Sequence, residues 1–349
     1  MAGNPPLLRL ARPPRFRGVV GTGGIGHGSF FLLDGPQTLG REESRSGRFL
    51  DRRDYCKIHI ISHYLKILLG DALGVFPVGR VGDDDAGRRL DAEMRAVGID
   101  MRFVHQAAGV PTLYSFCLVY PDGSGGNLTT ADSASSTVDS AAVEEAEPLL
   151  SELGAGGIAL AVPEVPLPAR RRLLELATVH GLFRAASFAR EEMTEVRSSR
   201  LLDGVDLCAM NLEEATAAAG LDGEPEPKRV LEVIAREYPQ LAVSVTCGGR
   251  GSWLRDESGA TFDPAIPVDV AGTTGAGDAH FSGILAGLAA GLDFRGAQQL
   301  GTTVAAASVT SVHTIHPDLT AALLRRMALR RERTSAGVAA LLDIGNGGS

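Results

Sequence analysis

Residues 270–292 read VAGTTGAGDAHFSGILAGLAAGL, a glycine-rich turn that is followed at once by a run of apolar residues. Three small residues leave the backbone N–H groups of this turn unobstructed, namely Gly275, Ala276 and Gly277. The apolar residues after the turn recur at the spacing of one helix face and predict an amphipathic helix; they are Phe281, Ile284, Leu285 and Leu288. A glycine-rich turn that opens a helix is typical of an anion-binding site, because free amides and the positive end of the helix dipole meet there.

Asp278 follows the turn directly, in the first turn of the predicted helix, beside the place where a bound phosphoryl group would lie. A carboxylate at this place can accept the proton of an attacking hydroxyl, while the amides stabilise charge on the transferred group. Phosphoryl transfer requires mainly this positioning and charge stabilisation. The alternative interpretation is a tight turn in which Asp278 is only a residue of a helix N-terminus. We predict that Asp278 is the general base of a phosphotransferase that acts on an alcohol group.

Outward from this segment, apolar runs that predict strands alternate with helical segments over most of the chain. The predicted strands are residues 17–20, 72–78, 113–120, 158–162, 206–210 and 241–246, with helices such as 84–97 and 169–180 between them. This alternation predicts an α/β fold with a doubly wound, mostly parallel sheet. Two segments interrupt the rhythm, at about 27–53 and 101–130, and we predict that both supply strands to a small β lid. The predicted organisation is an N-terminal arm, 1–16, and a single domain, 17–345.

The composition is that of a globular protein with a large core: 349 residues, 44% hydrophobic and 22% charged. A formal net charge of -8 argues against a nucleic-acid partner, which usually requires a basic surplus. No apolar run approaches the ~18 residues of a membrane helix, and residues 1–18 lack the apolar stretch of a signal peptide. The four cysteines lie far apart, without a C-x-x-C pair, as is typical of thiols in a reducing compartment. We therefore expect a cytoplasmic protein with a small-molecule partner.

Three further motifs precede the glycine loop in the chain: VGRVGDDDAGRR at 78–89, NLEE at 211–214 and VTCGGRG at 245–251. Together with TTGAGDAHFSGILAG at 273–287, they resemble, in order, the signature segments of the ribokinase-like, or PfkB-type, carbohydrate kinases. The resemblance covers about residues 70–312. It implies a doubly wound sheet with a small β lid, ATP as phosphate donor, Mg²⁺ as cofactor, a sugar or sugar-like acceptor, and a homodimer formed through the lid.

The resemblance also implies roles for individual residues. Asp278 would be the catalytic base, and Gly275, Ala276 and Gly277 would form the anion hole. Glu214 would help to hold Mg²⁺ through water, with Asn211 close to the phosphates. Other residues would line the nucleotide: Thr246, Gly248, Gly251 and Thr274. Taken alone, NLEE also fits a strand end followed by a capped helix, and VTCGGRG also fits a simple turn.

The acceptor-binding half departs from the family pattern. Gly24-Ile25-Gly26 stands where the family usually has Asn-x-Asp, and residues 56–61 stand where it has G-G-x-x-x-N. The candidate acceptor residues are Gly26, Arg41, Lys57 and Arg190. Basic and acidic residues are interleaved over residues 41–57, which fits a solvated, salt-bridged surface. The alternative is a pocket for an anionic acceptor, because arginine pairs well with carboxylate and phosphate.

The sequence also has features that bear on functions other than that of a sugar kinase. GTGGIG at residues 21–26 fits the G-x-G-x-x-G of dinucleotide-binding dehydrogenases, but residues 27–36, HGSFFLLDGP, are too short and too broken for the required helix. A nucleoside kinase remains an alternative. A catalytically silent nucleotide- or metabolite-binding relative is another, against which the intact glycine loop and Asp278 argue.

Overall fold

Thirteen strands form two sheets in the computed structural model, which describes residues 5–122 and 125–345. The strands are β1 Gly18–Thr22, β2 Gly26–Leu33, β3 Gly47–Tyr55, β4 Gly74–Gly82, β5 Phe103–Ala107, β6 Leu113–Val119, β7 Gly125–Thr129, β8 Gly157–Ala161, β9 Phe183–Ala186, β10 Leu207–Asn211, β11 Ala242–Thr246, β12 Gly251–Asp256 and β13 Gly259–Pro264. The large sheet has the order β13-β12-β11-β10-β9-β8-β1-β4-β5 and is parallel except for β12 and β13. The predicted doubly wound, mostly parallel sheet is confirmed.

Helices cover both faces of the large sheet. They are α1 Lys57–Leu69, α2 Asp85–Ala96, α3 Ser140–Glu144, α4 Glu147–Leu153, α5 Leu167–His180, α6 Met193–Ser198, α7 Leu212–Ala218, α8 Pro227–Glu237, α9 Ala276–Ala289, α10 Phe294–Ser308, α11 Ala321–Leu329 and α12 Ala336–Leu341. Successive residues of a strand point to opposite faces. Val19 therefore belongs to the core shared with α1, α9 and α10, whereas Val20 belongs to the core shared with α3, α4 and α5.

A second, four-stranded sheet has the order β3-β2-β6-β7 and comes from the two segments that interrupt the strand–helix rhythm. One strand of those segments differs from the prediction: β5 pairs in parallel with β4 and forms an edge of the large sheet. The reason is local, because β4, α2 and β5 form a β–α–β unit whose second strand returns beside the first. The segment GTGGIG leads into strand β2 rather than a helix, so it lacks the context of a dinucleotide-binding turn.

Helix α9 is buried on all sides, not amphipathic as the sequence predicts. Every residue from Ala279 to Ala289 is buried, because α9 lies between α1 and α10. A Cβ atom on Gly283 would lie 2.6 Å from the Cα atom of Gly301, so α9 and α10 approach with almost no side chain between them. Glycine adds little to an apolar stripe in the sequence, yet here Gly283 and Gly301 allow two helix backbones to approach closely.

The N-terminal arm lies against helices α1 and α12. The N–H of Leu7 donates to the carbonyl of Ile67 at 3.0 Å, and the N–H of Arg9 donates to the carbonyl of Leu341 at 2.7 Å. Residues 1–4 of the predicted arm lie outside the described residues. Among the helices that are described, none has the length and apolar character needed to span a membrane.

Candidate active site

The glycine turn brings helix amides to one end of a cavity. Gly275 has φ 80°, a left-handed conformation, and precedes the first residue of α9. This conformation favours glycine, and a Cβ atom here would also lie 2.8 Å from the carbonyl oxygen of Thr314. The N–H of Ala276 donates to the carbonyl of Thr273 at 3.1 Å. The amides of Gly277 and of the next residue lie in the first turn of α9, where helix amides have no intrahelical partner and can bind an anion.

Asp278 and Lys57 form an ion pair at the same place. The Nζ atom of Lys57 lies 3.4 Å from Oδ1 of Asp278, and the two side chains are 32% and 15% exposed. Lys57 is the first residue of α1, and its backbone N–H donates to Oε2 of Glu164 at 3.0 Å. The charge of Asp278 raises the pKa of Lys57 well above its usual value, so this lysine is an ammonium at neutral pH. The predicted base thus has a fixed cation beside it.

A cavity of about 700 Å³ extends from this ion pair over the carboxyl ends of β10 and β11. It is lined by most of the residues that the sequence predicts for catalysis and nucleotide binding, namely Asn211, Glu214, Thr246, Gly248, Gly251, Gly275, Ala276, Gly277 and Asp278. Apolar side chains also line it, among them Ile266, Val268, Val270 and Val309. The lining thus combines polar groups with an apolar surface, which suits a nucleotide.

The motif NLEE forms a reciprocal helix cap within this cavity. The side chain of Asn211 accepts from the N–H of Glu214 at 2.9 Å, and Oε2 of Glu214 accepts from the N–H of Asn211 at 2.8 Å. The capped-helix interpretation is therefore correct as local structure. Both side chains still line the cavity, and burial raises the pKa of Glu214. A carboxylate has two oxygens, so one can hold the cap while the other meets a hydrated cation.

The predicted nucleotide turn, residues 245–251, contains two glycines with positive φ, a conformation that other residues adopt less readily. Gly248 has φ 56° and Gly251 has φ 119°. A Cβ atom on Gly251 would lie 2.7 Å from the amide nitrogen of Ala265. This geometry leaves bare backbone at the wall of the cavity, where a flat group can approach closely.

Four predicted site residues do not line this cavity. Thr274 is exposed on the turn, where Thr273 lines the cavity instead. Arg41 lies on the exposed loop between β2 and β3, and Arg190 pairs at 3.5 Å with Glu213 on the surface. Gly26 is buried in β2, close to Leu113 and Cys56. The basic residues of the segment 41–57 are close in sequence, but among them it is Lys57 that pairs with Asp278.

Two carboxylates near the ion pair were missed by sequence reasoning, Glu164 and Asp54. Glu164 follows β8 with φ 77°, and burial raises its pKa to about 7. Its position at the carboxyl end of a buried strand is a signal that could have found it. Asp54 lies at the end of β3, and burial raises its pKa to about 6. It has no such signal, since the neighbouring arginines make it resemble a solvated surface.

Comparison with known proteins gives consistent results. The model of the family described as "pfkB family carbohydrate kinase" matches residues 67–321. The chain is 27% identical over 252 residues to a 2-dehydro-3-deoxygluconokinase of Thermoproteus tenax, which covers 66% of this chain and 72% of that protein. Among solved structures, ribokinase from Giardia lamblia has a TM-score of 0.73 at 18% identity, covering 84% and 93% of the two chains. Ribokinase from Arabidopsis thaliana, solved with ribose and ATP, has a TM-score of 0.69 at 16% identity, covering 89% and 98%.

Proposed function

This chain belongs to the pfkB family of carbohydrate kinases, and we propose that it transfers the γ-phosphoryl group of ATP to an alcohol group of a sugar or sugar-like acceptor. One observation carries the proposal: Asp278 stands in the first turn of α9, beside Lys57, in the same cavity as the nucleotide turn. A base, a cation and free helix amides are the groups that phosphoryl transfer requires.

The proposed reaction is an in-line displacement. The acceptor oxygen forms a bond to the γ-phosphorus as the bond from that phosphorus to the β–γ bridging oxygen breaks. The hydroxyl proton passes to the carboxylate of Asp278, and ADP leaves. The first-turn amides of α9 stabilise the charge of the transferred group, and the Lys57 ammonium adds to this positive field.

The cavity fits both ATP and a hydrated magnesium ion. The apolar part near Ile266 and Val309 suits a base, and the bare backbone of Gly248 and Gly251 suits close approach of the ribose and phosphates. Glu214 offers a carboxylate oxygen of the kind that Mg²⁺ binds through water. When bound, the ion would neutralise phosphate charge.

The proposal extends to the acceptor, the cellular compartment and the oligomeric state of the enzyme. A sugar acceptor agrees with the family, and a nucleoside acceptor is the alternative. No cysteine within the described residues takes part in a disulfide, and use of ATP fits a reducing, cytoplasmic compartment. We also propose that a second copy of the chain covers the outer face of the small sheet, where Phe49 and Leu128 are 64% and 63% exposed.

The test of the proposed function is Asp278→Asn. We expect turnover to fall by a factor on the order of 10²–10⁴, because the variant cannot accept the hydroxyl proton, while the KM for ATP stays nearly unchanged. ADP formation is measured with panels of sugars and nucleosides, and Asp222→Asn in an exposed loop serves as the matched control. A near-normal rate for Asp278→Asn would remove this residue from the mechanism. Nucleotide binding without ADP formation from any acceptor would identify a silent binding protein.

A further inference from the structure

Alternate glycines at the start of the small sheet make room for side chains from other elements. Gly26 and Gly28 lie on one face of β2, and Gly24 lies in the short link that precedes this strand. A Cβ atom on Gly24 would overlap the carboxylate of Glu164, and one on Gly28 would overlap the carboxylate of Asp54. The segment in which the resemblance leads one to expect hydroxyl-binding side chains therefore has bare backbone, and two carboxylates lie over it.

Asp54 is a buried carboxylate without a cation. It is 5% exposed, and its Oδ2 accepts a hydrogen bond from Sγ of Cys117 at 3.5 Å. No ion pair to Asp54 occurs within the described residues, and the charge of Asp278 adds to the rise of its pKa. Burying a carboxylate without a cation is costly. The hydrogen bonds that Asp54 accepts come from Cys117, Ser115 and the backbone N–H of Tyr55, and none of these groups carries a charge. Such a group is a strong acceptor for hydrogen bonds from a ligand.

Anchors on both sides hold Asp54 near the transfer site. Arg53 donates its backbone N–H to Nδ1 of His313 at 2.8 Å, and Tyr55 donates its own to Oγ1 of Thr314 at 3.1 Å. Thr314 is the residue whose carbonyl packs against Gly275 of the anion hole. Three positions after Asp54, Lys57 reaches Asp278. The end of β3 is thus attached both to the loop that packs against Gly275 and, through Lys57, to Asp278.

We propose that Asp54 binds a hydroxyl group of the acceptor and orients the acceptor toward Asp278, and that the acceptor is a neutral polyhydroxylated compound. This inference rests on the proposed kinase function. Asp54 supplies, from the third strand, a carboxylate that the glycine segment of the first two strands lacks. Asp54 accepts a hydrogen bond from this hydroxyl group. The proton does not move to Asp54, which takes no part in the phosphoryl transfer.

The charges near the transfer site favour a neutral acceptor. From the sequence alone, the basic residues of segment 41–57 leave an anionic acceptor as an alternative. The described residues that line the cavity include one lysine and no arginine, and that lysine, Lys57, is already paired with Asp278. Asp54, Glu164 and Glu214 add three carboxylates around this pair. A phosphate or carboxylate group of the acceptor held at Asp54 would meet this like charge without the helix amides and the magnesium ion proposed for the nucleotide, whereas a hydroxyl group would not.

The experiment compares Asp54→Asn with Asp51→Asn, an exposed aspartate on the same strand. Pentoses, hexoses, alditols and ribonucleosides are tested beside their phosphate and carboxylate counterparts, by calorimetric binding and by ADP formation. We expect the wild type to prefer neutral compounds. Asp54→Asn should raise the Kd and KM of the preferred acceptor about 10- to 100-fold, as loss of a charge-assisted hydrogen bond does, with the KM of ATP unchanged. Asp51→Asn should match the wild type.

The outcomes separate this inference from the proposed function. ADP formation with an unchanged acceptor KM in Asp54→Asn would overturn the inference and leave the kinase intact. Neutral acceptors that bind through Asp54 without ADP formation would keep the inference and refute the kinase. Preference for anionic compounds, or binding of no neutral compound, would also overturn it. If Asp54→Asn fails to fold, Asp54→Ser is measured in its place. The comparison of neutral with anionic acceptors uses the wild type, so it tests the charge of the acceptor whether or not these variants fold.

Discussion

A single residue, Glu214, has a structural role in the helix cap and, in our proposal, a chemical role at the magnesium ion. Its side chain closes the cap of α7 and also lines the cavity. In Glu214→Gln the amide oxygen can still accept from the N–H of Asn211, so the cap and the melting temperature should be preserved. The charge toward magnesium is lost, and we expect the Mg²⁺ concentration for half-maximal rate to rise about 10-fold or more.

The measurement is a magnesium titration of the rate, combined with a melting curve for each variant. Glu213→Gln is the matched control, because Glu213 is the neighbouring carboxylate and pairs on the surface with Arg190. An unchanged magnesium requirement in Glu214→Gln would show that NLEE is only a helix start.

At the scale of residues, the sequence predicts the parts of the site that lie within short motifs. Asp278 and Gly275 could be found because a turn, a helix start and a carboxylate are adjacent in the chain. Asp54 could not be found, because its neighbours in the site come from β6, α9 and the loop at Thr314, which sequence spacing does not bring together. The sequence also suggests Arg41 as an acceptor residue, but Arg41 and its sequence neighbours lie on the exposed loop between β2 and β3.

Helix α9 begins at the proposed anion hole and packs closely against α10. In Gly283→Ala the new Cβ atom would lie 2.6 Å from Cα of Gly301 and 3.0 Å from its amide nitrogen. Two backbones would have to separate, at a cost of roughly 1–3 kcal/mol, which should exceed the roughly 1 kcal/mol that alanine gains in helix propensity. We expect a lower free energy of unfolding in urea and a lower turnover.

The control for this element is Gly204→Ala, where nothing lies within 4 Å of the added Cβ atom. Its free energy of unfolding should stay within about 0.5 kcal/mol of the wild type. A Gly283→Ala variant as stable as this control would mean that α9 and α10 can shift apart freely. The sequence predicted α9 as a helix but misjudged its surroundings, because the alanines and glycines that bury it carry no strong apolar signal.

On the scale of the whole molecule, the small sheet has one face on which the described part of the chain leaves Phe49 and Leu128 exposed. The rings of Phe31, Phe49 and Phe116 contact one another there, with centroids 5.1 to 6.2 Å apart. The double substitution Phe49→Ser with Leu128→Ser should convert a dimer into a monomer, because it removes the most exposed apolar groups of this face. Light scattering after size-exclusion chromatography measures the mass.

The control variant is Phe262→Ser, which removes a 48% exposed ring from β13 at the far edge of the large sheet. It should leave the mass of the dimer unchanged. A wild-type protein that is already monomeric at assay concentrations would contradict the proposal of a covered sheet face.

The order of strands in the large sheet also bears on how the chain is made. β1 lies between β4 and β8, with Gly18 opposite Gly74 on one side and Gly157 on the other. At about 5–20 residues per second, a ribosome needs roughly 7–30 s after β1 to deliver β8. From β8 to β13, each strand emerges when the edge that it joins has just been completed by its predecessor. Over the second half of the chain the order of synthesis is therefore the order of strands in space, and the edge opposite β5 always consists of the strand made last.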